Sequence, residues 1–395
     1  MSDWHPFTPD AGHDGVDPRI AGGRLTVDLD ALAGNYRLLQ RRAAPARAAG
    51  VVKADAYGLG AARVGPALWR AGCRTFFVAL PQEGIELRAV LPEAEIYVLN
   101  GTFGPEAAPA FAAHRLMPVI GSQADISSWE AFGWDDGEVP RPCAIHVDTG
   151  MNRLGLTHEE ALAFADDNGL TGALTPRLLM SHLACGDDAG HPLNRRQLES
   201  FQVVREAFDG IDSSLSNSAG IFLGPEFAFD LVRPGIALYG GQPFDGGDNP
   251  MLPVATLEAR VVQVRRAKDG ETASYGAHGA LSRDTIIAVV STGYADGYHR
   301  ASSFAGVPLR RAVPAGGHGF VHGRRVPVLG RVTMDLTLFD VTDLGPDGVA
   351  VGDWIELFGP NVPVDEAAAA AGTISYEMLT SLGRRYYRRY VGGDG

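Results

Sequence analysis

Between residues 25 and 238, short apolar runs alternate with helix-length stretches, and this alternation limits the architecture more than any other feature of the chain. The first run, Leu25-Thr26-Val27-Asp28, leads into Leu29, Leu32, Tyr36 and Leu39, whose spacing predicts a helix that Asp28 or Asp30 would cap. After that helix the runs recur around Val51 and at residues 76–80, 96–99, 117–120, 144–147, 178–180, 213–216 and 231–238. Eight strands spaced by roughly 20 to 35 residues, with room for a helix between each pair, predict a parallel α/β fold. A closed (β/α)8 TIM-type barrel and a doubly wound open sheet both satisfy that pattern.

Residues 240–250 are mostly glycine, proline and acid, cannot hold regular structure, and mark a domain boundary. Beyond them, alternating segments at 257–264, 286–290 and 354–358, separated by glycine-rich turns, predict an all-β domain. Helices are expected near the end, at the alanine-rich stretch 364–371 and the basic tail 384–389. The expected division is a loose extension at residues 1–23, the α/β domain at 24–245 and the β domain at 246–395. With 395 residues, 45% of them apolar, the chain can bury two cores.

A formal charge of −13 with a pI near 5.3 argues against a nucleic acid or an anionic membrane as the main partner. No apolar run approaches the ~20 residues of a spanning helix, and the acidic start lacks the pattern of a signal peptide. Cys73, Cys143 and Cys185 are odd in number and far apart, without metal-ligand spacing, and read as reduced thiols. A cytoplasmic metabolic protein that takes a small-molecule substrate is the expectation.

The chemistry centres on Val51-Val52-Lys53-Ala54-Asp55-Ala56-Tyr57-Gly58-Leu59-Gly60. In parallel α/β folds ligands gather at the C-terminal ends of the strands, where this motif puts a lysine. Such a lysine either reaches solvent or is used as an amine, since a desolvated amine loses its proton and becomes nucleophilic.

This motif resembles the pyridoxal 5'-phosphate (PLP) lysine motif of the alanine racemase family. Further segments resemble that family in the same order: 147–155 (Val-Asp-Thr-Gly-Met-Asn-Arg-Leu-Gly), 181–184 (Ser-His-Leu-Ala), 217–219 (Asn-Ser-Ala), 233–240 (Arg-Pro-Gly-Ile-Ala-Leu-Tyr-Gly), 274–276 (Ser-Tyr-Gly), 293–297 (Gly-Tyr-Ala-Asp-Gly), 330–335 (Gly-Arg-Val-Thr-Met-Asp) and 374–377 (Ile-Ser-Tyr-Glu). The resemblance covers nearly the whole chain and implies the barrel rather than the open sheet. It implies a two-base racemase interconverting L- and D-alanine, which supplies D-alanine for peptidoglycan. Lys53 would carry PLP and act as base on one face of Cα, and Tyr275 on the other. A phenol titrates near ~10 and needs cationic neighbours to serve as a base. Tyr57, Ser218, the amides of Gly235 and Ile236, and Tyr376 would hold the phosphate, with His182 and Asn217 also in the cofactor set. Arg233 would face the ring nitrogen, where it cannot give up a proton. Arg153 and the Met334 backbone N–H would bind the substrate carboxylate, and Tyr294 with Tyr376 would narrow the approach. The resemblance also implies a homodimer with shared active sites.

Two positions depart from the family pattern. His146 stands where many members have a lysine that is modified to a carbamate, so Arg153 is expected to be oriented differently. Ser214 stands where a histidine often supports the ring-nitrogen arginine. A fold-related decarboxylase would instead use a carboxylate and a cysteine where this chain has Arg233 and Thr333. A broad-specificity or serine racemase of the same family is the remaining alternative.

Overall fold

A computed structural model describes residues 16–131, 141–166, 174–304 and 316–393. The chain forms two compact units. One comprises Leu32–Leu238 and Gln242–Met251; the other comprises the described residues up to Ala31, Tyr239–Gly241 and everything from Leu252 on.

The strands are, in order, β1 (Gly23–Asp28), β2 (Arg47–Ala48), β3 (Gly50–Val51), β4 (Thr75–Val78), β5 (Glu95–Val98), β6 (Met117–Ile120), β7 (Arg141–His146), β8 (Leu174–Met180), β9 (Asp212–Ser214) and β10 (Leu231–Val232). β3 to β9 pair in parallel with their neighbours in chain order. β10 then closes the ring. Asp230 N–H donates to Ser213 O (3.0 Å) and Arg233 N–H to Ser216 O (2.9 Å), while β10 pairs with β2 and receives Ala49 N–H at Val232 O (2.9 Å). Because every edge finds a partner, the chain forms the (β/α)8 barrel that periodicity alone left undecided. Strand residues such as Phe76, Phe77, Ile96, Val98, Ile120 and Ile145 are fully or almost fully buried, and Phe77 stacks on Tyr97 at 5.1 Å.

The other unit is built on β11 (Ala255–Ala267), β12 (Thr272–Ala273), β13 (Gly279–Ala280), β14 (Thr285–Val290), β15 (His318–Val321), β16 (Arg324–Pro327), β17 (Thr337–Asp340), β18 (Trp354–Phe358) and β19 (Tyr387–Val391). Two sequence expectations are corrected here. Residues 24–28 were assigned to the α/β domain, but β1 lies in the β sheet, antiparallel to β11 and parallel to β19. Its alternating burial, with Leu25 and Val27 fully covered, fits a strand with one face in a sheet core better than a barrel strand covered on both faces. The tail 384–389, expected to be helical, runs into strand β19. Tyr387, Tyr390 and Val391 suit a ladder, and β1 supplies the partner that helix propensity cannot foresee.

Of the expected loose extension, residues 1–15 lie outside the described residues. Residues 16–23 are ordered onto the unit, with Asp17 buried and accepting from both the backbone and the side chain of Arg19. The expected alanine-rich helix is present as Val364–Ala370. Among the described residues no helix is long and apolar enough to cross a membrane.

Without β1, the facing ladders of β11 and β19 would both be open. Residues 252–393 expressed alone should therefore fail to give a cooperative thermal transition by circular dichroism. The same segment with residues 16–31 attached through a flexible linker should give one.

Candidate active site

The C-terminal ends of the barrel strands gather one set of the predicted residues. After β3 the chain enters a turn in which Ala54, Asp55, Ala56 and Tyr57 all have φ between 53° and 56°, a left-handed run without a glycine. Each such residue costs about 1–2 kcal/mol, and strain of this kind collects at functional sites. The turn carries Lys53 at its start and buries the Tyr57 ring at its end. The Glu83 carboxylate reaches it: Oε1 accepts from Ala54 N–H (2.7 Å), and Oε2 accepts from Ala79 N–H (2.8 Å) and Leu80 N–H (3.1 Å). Burial lowers the basicity of the half-buried Lys53 amine, the Arg153 guanidinium lowers it further, and the Glu83 carboxylate opposes both.

Arg233, following β10, is 3% exposed and has no carboxylate among its partners. Nη1 donates to Ser214 Oγ; Nη2 donates to Ser181 O, to Leu215 O (3.4 Å) and toward His182 Nδ1 (3.4 Å). Burial pulls its pKa down to about 9, which leaves it charged at neutral pH. Ser214 thus supports the arginine by a hydroxyl that in turn donates to Leu231 O.

His182 and His146 lie in the same field. Burial, then the charges of Arg233 and Arg153, hold the His182 imidazole well below its ordinary value and bring His146 to about 4. Neutral His182 can accept from Arg233 at Nδ1.

Of the groups expected in the cradle, Tyr57, Ser218, Gly235 and Ile236 lie in the barrel unit, while Tyr376 belongs to the other unit. Ser218 Oγ accepts from Gly235 N–H (2.8 Å) and Ala237 N–H (3.3 Å), all three residues being buried in the barrel unit. At Gly235 a Cβ would stand 2.2 Å from Tyr57 Oη, so only glycine lets the phenol approach this backbone. Ile236 opens a short 3₁₀ turn here. Asn217 Oδ1 accepts from Gly220 N–H (3.0 Å) and so caps the next turn.

Arg153 lies on the loop between Val147 and Leu156, which pair as a bridge, and Asp148 Oδ1 shapes the loop by accepting from the Gly150 and Met151 amides. It is exposed and makes no hydrogen bond or ion pair among the described residues.

The other unit gathers the remaining residues. Tyr275 follows β12 and is 72% exposed. Segment 331–334 touches both neighbouring turns: Ser274 Oγ donates to Arg331 O (2.8 Å), Tyr294 N–H to Thr333 O (2.9 Å) and Ala295 N–H to Met334 O (3.0 Å). The helix Ser375–Thr380 carries exposed Tyr376, and just past its end Ser381 Oγ bonds His299 Nε2 at 2.9 Å.

Sequence reading missed two supporting residues besides Ser181. Glu83 occupies the third position of its helix, which a capping-box pattern could have flagged. Gln197, fully buried, donates to His182 O (2.8 Å) and accepts from Ala184 N–H (2.8 Å); the signal was a glutamine on the Asn194, Leu198 and Phe201 face of its helix.

A half-buried lysine of lowered basicity at a barrel mouth, a buried arginine without a counter-ion among the described residues and a cluster of amides and hydroxyls suit a lysine-dependent enzyme that handles an anionic ligand. Profiles of the alanine racemase N-terminal and C-terminal domains match residues 27–243 and 254–390. The alanine racemase of Rhizobium meliloti (strain 1021) is 55% identical, covering 94% of this chain and 98% of the relative. The biosynthetic alanine racemase of Agrobacterium fabrum is 54% identical, with 94% of each covered. The crystal structure of alanine racemase from Bartonella henselae with covalently bound pyridoxal phosphate superposes with a TM-score of 0.86 at 39% identity, covering 94% of this chain and 100% of that one. The chain belongs to the alanine racemase family of PLP-dependent isomerases. The barrel residues fit that cofactor: the Ser218 hydroxyl, which receives the Gly235 and Ala237 amides, can donate to a phosphate dianion together with the Ile236 amide, and Arg233 brings a donor with no proton to release.

At residue 146 the unfolded chain takes up a proton near pH 6.5, whereas the folded chain resists it until about pH 4. Neutral His146 therefore favours the fold fully above pH 6.5, and this contribution is lost as the pH falls toward 4. The full effect is about 3 kcal/mol. His146→Asn should lose less thermal stability than wild type between pH 7 and 5, with His182 supplying a residual slope; equal losses would contradict the argument.

Proposed function

We infer that this chain racemises alanine between its L and D forms with Lys53 and Tyr275 as the two bases. The observation that carries the reading is the barrel mouth itself, where a lysine of lowered basicity lies in one electrostatic cluster with a buried arginine that lacks a carboxylate. PLP, bound covalently through Lys53, would draw electrons from the substrate Cα and make its proton removable. Once the substrate amine displaces the Lys53 amine from the cofactor, the freed Lys53 Nζ would move that proton on the face used by D-alanine, and Tyr275 on the face used by L-alanine. Arg233 would face the ring nitrogen as a donor with no proton to release, which would discourage the protonated, strongly electron-withdrawing ring that favours transamination. Tyr57, Ser218, the Gly235 and Ile236 amides and Tyr376 would hold the phosphate, with Asn217 setting the Ser218 loop and His182 bracing Arg233. Arg153 and Met334 bind the substrate carboxylate. That the Met334 N–H donates to no group among the described residues supports the latter role.

Tyr294 and Tyr376 narrow the approach, so alanine is expected to be turned over faster than lysine or methionine. Measuring racemisation of alanine, serine and lysine side by side tests this, and equal rates would favour a broad-specificity racemase. The protein acts in the cytoplasm as a source of D-alanine for peptidoglycan.

The enzyme works as a two-fold, head-to-tail dimer in which each β unit completes the partner's barrel. Two surfaces support this. The barrel mouth exposes Leu80, Phe103 and Leu154 on loops after β4, β5 and β7, and the β unit exposes Tyr275, Tyr294, Met334, Leu336, Ile374 and Tyr376. Lys53→Ala and Tyr275→Ala homodimers should each be nearly inactive, while a hybrid has one site lacking both residues and one intact. Equal mixing gives about half hybrids, so about a quarter of all sites should be restored. A mixture no more active than its parents after confirmed subunit exchange would place Tyr275 in its own chain's site.

A further inference from the structure

We propose that Glu83 is a positioning residue that holds the left-handed turn after β3 and thereby aims Lys53; this rests on the racemase reading above. Four successive non-glycine residues in the left-handed region do not persist by local preference. Something must fix the start of the run, and the side-chain acceptor seen there is Glu83, which takes the Ala54 N–H, the amide next to Lys53. The same carboxylate takes the Ala79 and Leu80 amides, so it ties the loop leaving β3 to the loop leaving β4. Both of its oxygens act as acceptors, a demand that a carboxylate meets and an amide side chain does not. At the far end of the turn Asp55 Oδ1 receives Ala61 N–H (2.7 Å), and the Tyr57 hydroxyl is set against Gly235. The turn is thus a strained lever with Lys53 at one end and the phosphate-side phenol at the other. Glu83 also brings the negative charge that partly offsets Arg153 at the Lys53 amine.

The test uses the holoenzyme and reads kcat, KM, thermal stability and the pH midpoint of the bound cofactor's visible absorbance. Glu83→Gln must set an N–H donor against one of the three amides, so the turn relaxes. kcat should fall about 10- to 100-fold with KM changed far less, as expected for a misaimed reacting group. The absorbance midpoint should move to lower pH, because the negative charge that favours the protonated nitrogen on Lys53 is gone. Ala54→Gly added to Glu83→Gln should recover part of kcat, since glycine accepts the left-handed conformation without strain. A helix cap with no role at Lys53 would lower stability without that rescue. Glu83→Asp is the milder variant: it keeps the charge but shortens the reach, so the midpoint should stay near wild type while kcat falls.

Unchanged kcat in both Glu83 variants, or a loss that Ala54→Gly leaves in place, overturns the proposal. If wild type binds PLP but racemises no amino acid, the racemase reading fails on its own. Glu83 is then judged by the midpoint: a shift in Glu83→Gln upholds the link to Lys53, and an unmoved midpoint overturns it.

Discussion

A guanidinium buried at 3% exposure with no carboxylate beside it is the constraint on which the barrel site depends. A charge removed from water must be met by hydrogen bonds or it destabilises the fold by several kcal/mol. Here the acceptors are two backbone carbonyls, the Ser214 hydroxyl and a neutral imidazole. None of these neutralises the charge, so Arg233 projects a positive field across the strand ends. That field, added to burial and to Arg153, keeps His182 and His146 neutral. The same excess of positive charge suits a phosphate and a carboxylate arriving together. A carboxylate in place of Ser214 would compensate the arginine internally and remove that preference.

Much of this organisation was legible in the sequence. The eight strand positions could be read because buried parallel strands are short apolar runs that local composition exposes. Closure of the barrel could not be read from them, since it is decided by hydrogen bonds between residues such as Ala49 and Val232 that lie far apart in the chain. The same limit explains β1. Its alternation was correctly read as a strand, but which sheet takes it depends on β11 and β19, more than two hundred residues away. The tail at 384–389 was misread for the matching reason, because arginines are good helix formers and only the partner strand makes the stretch extended.

Ser214 and His146, the two positions where the sequence departs from the resemblance, act on the two arginines in different ways. Ser214 is smaller than a histidine, but it sits on the strand next to β10 and reaches Arg233 Nη1 without a titrating ring. A serine brings no protonation equilibrium of its own to that contact. At residue 146 the change runs the other way. A buried neutral imidazole offers Arg153 no charge, and that arginine stands exposed at the tip of its loop, aligned by no side chain among the described residues. Its orientation is therefore left to the loop backbone that Asp148 folds and to the carboxylate it would bind.

The turn behind Lys53 is the part of the site that sequence could least reveal. Alanine, aspartate, alanine and tyrosine carry no signal for a left-handed conformation, and helix propensity would wind them the other way. The conformation is imposed from outside, by a carboxylate on a helix and by the close packing of Tyr57 on Gly235. A right-handed turn over the same residues would carry the chain away from the strand end in a different direction. Tyr57 would then lose its place against Gly235, and Lys53 its fixed relation to the cradle. Strain confined to four residues thus joins Lys53 to the Tyr57 ring packed on Gly235, and the barrel's closed hydrogen-bonding gives it a frame rigid enough to persist.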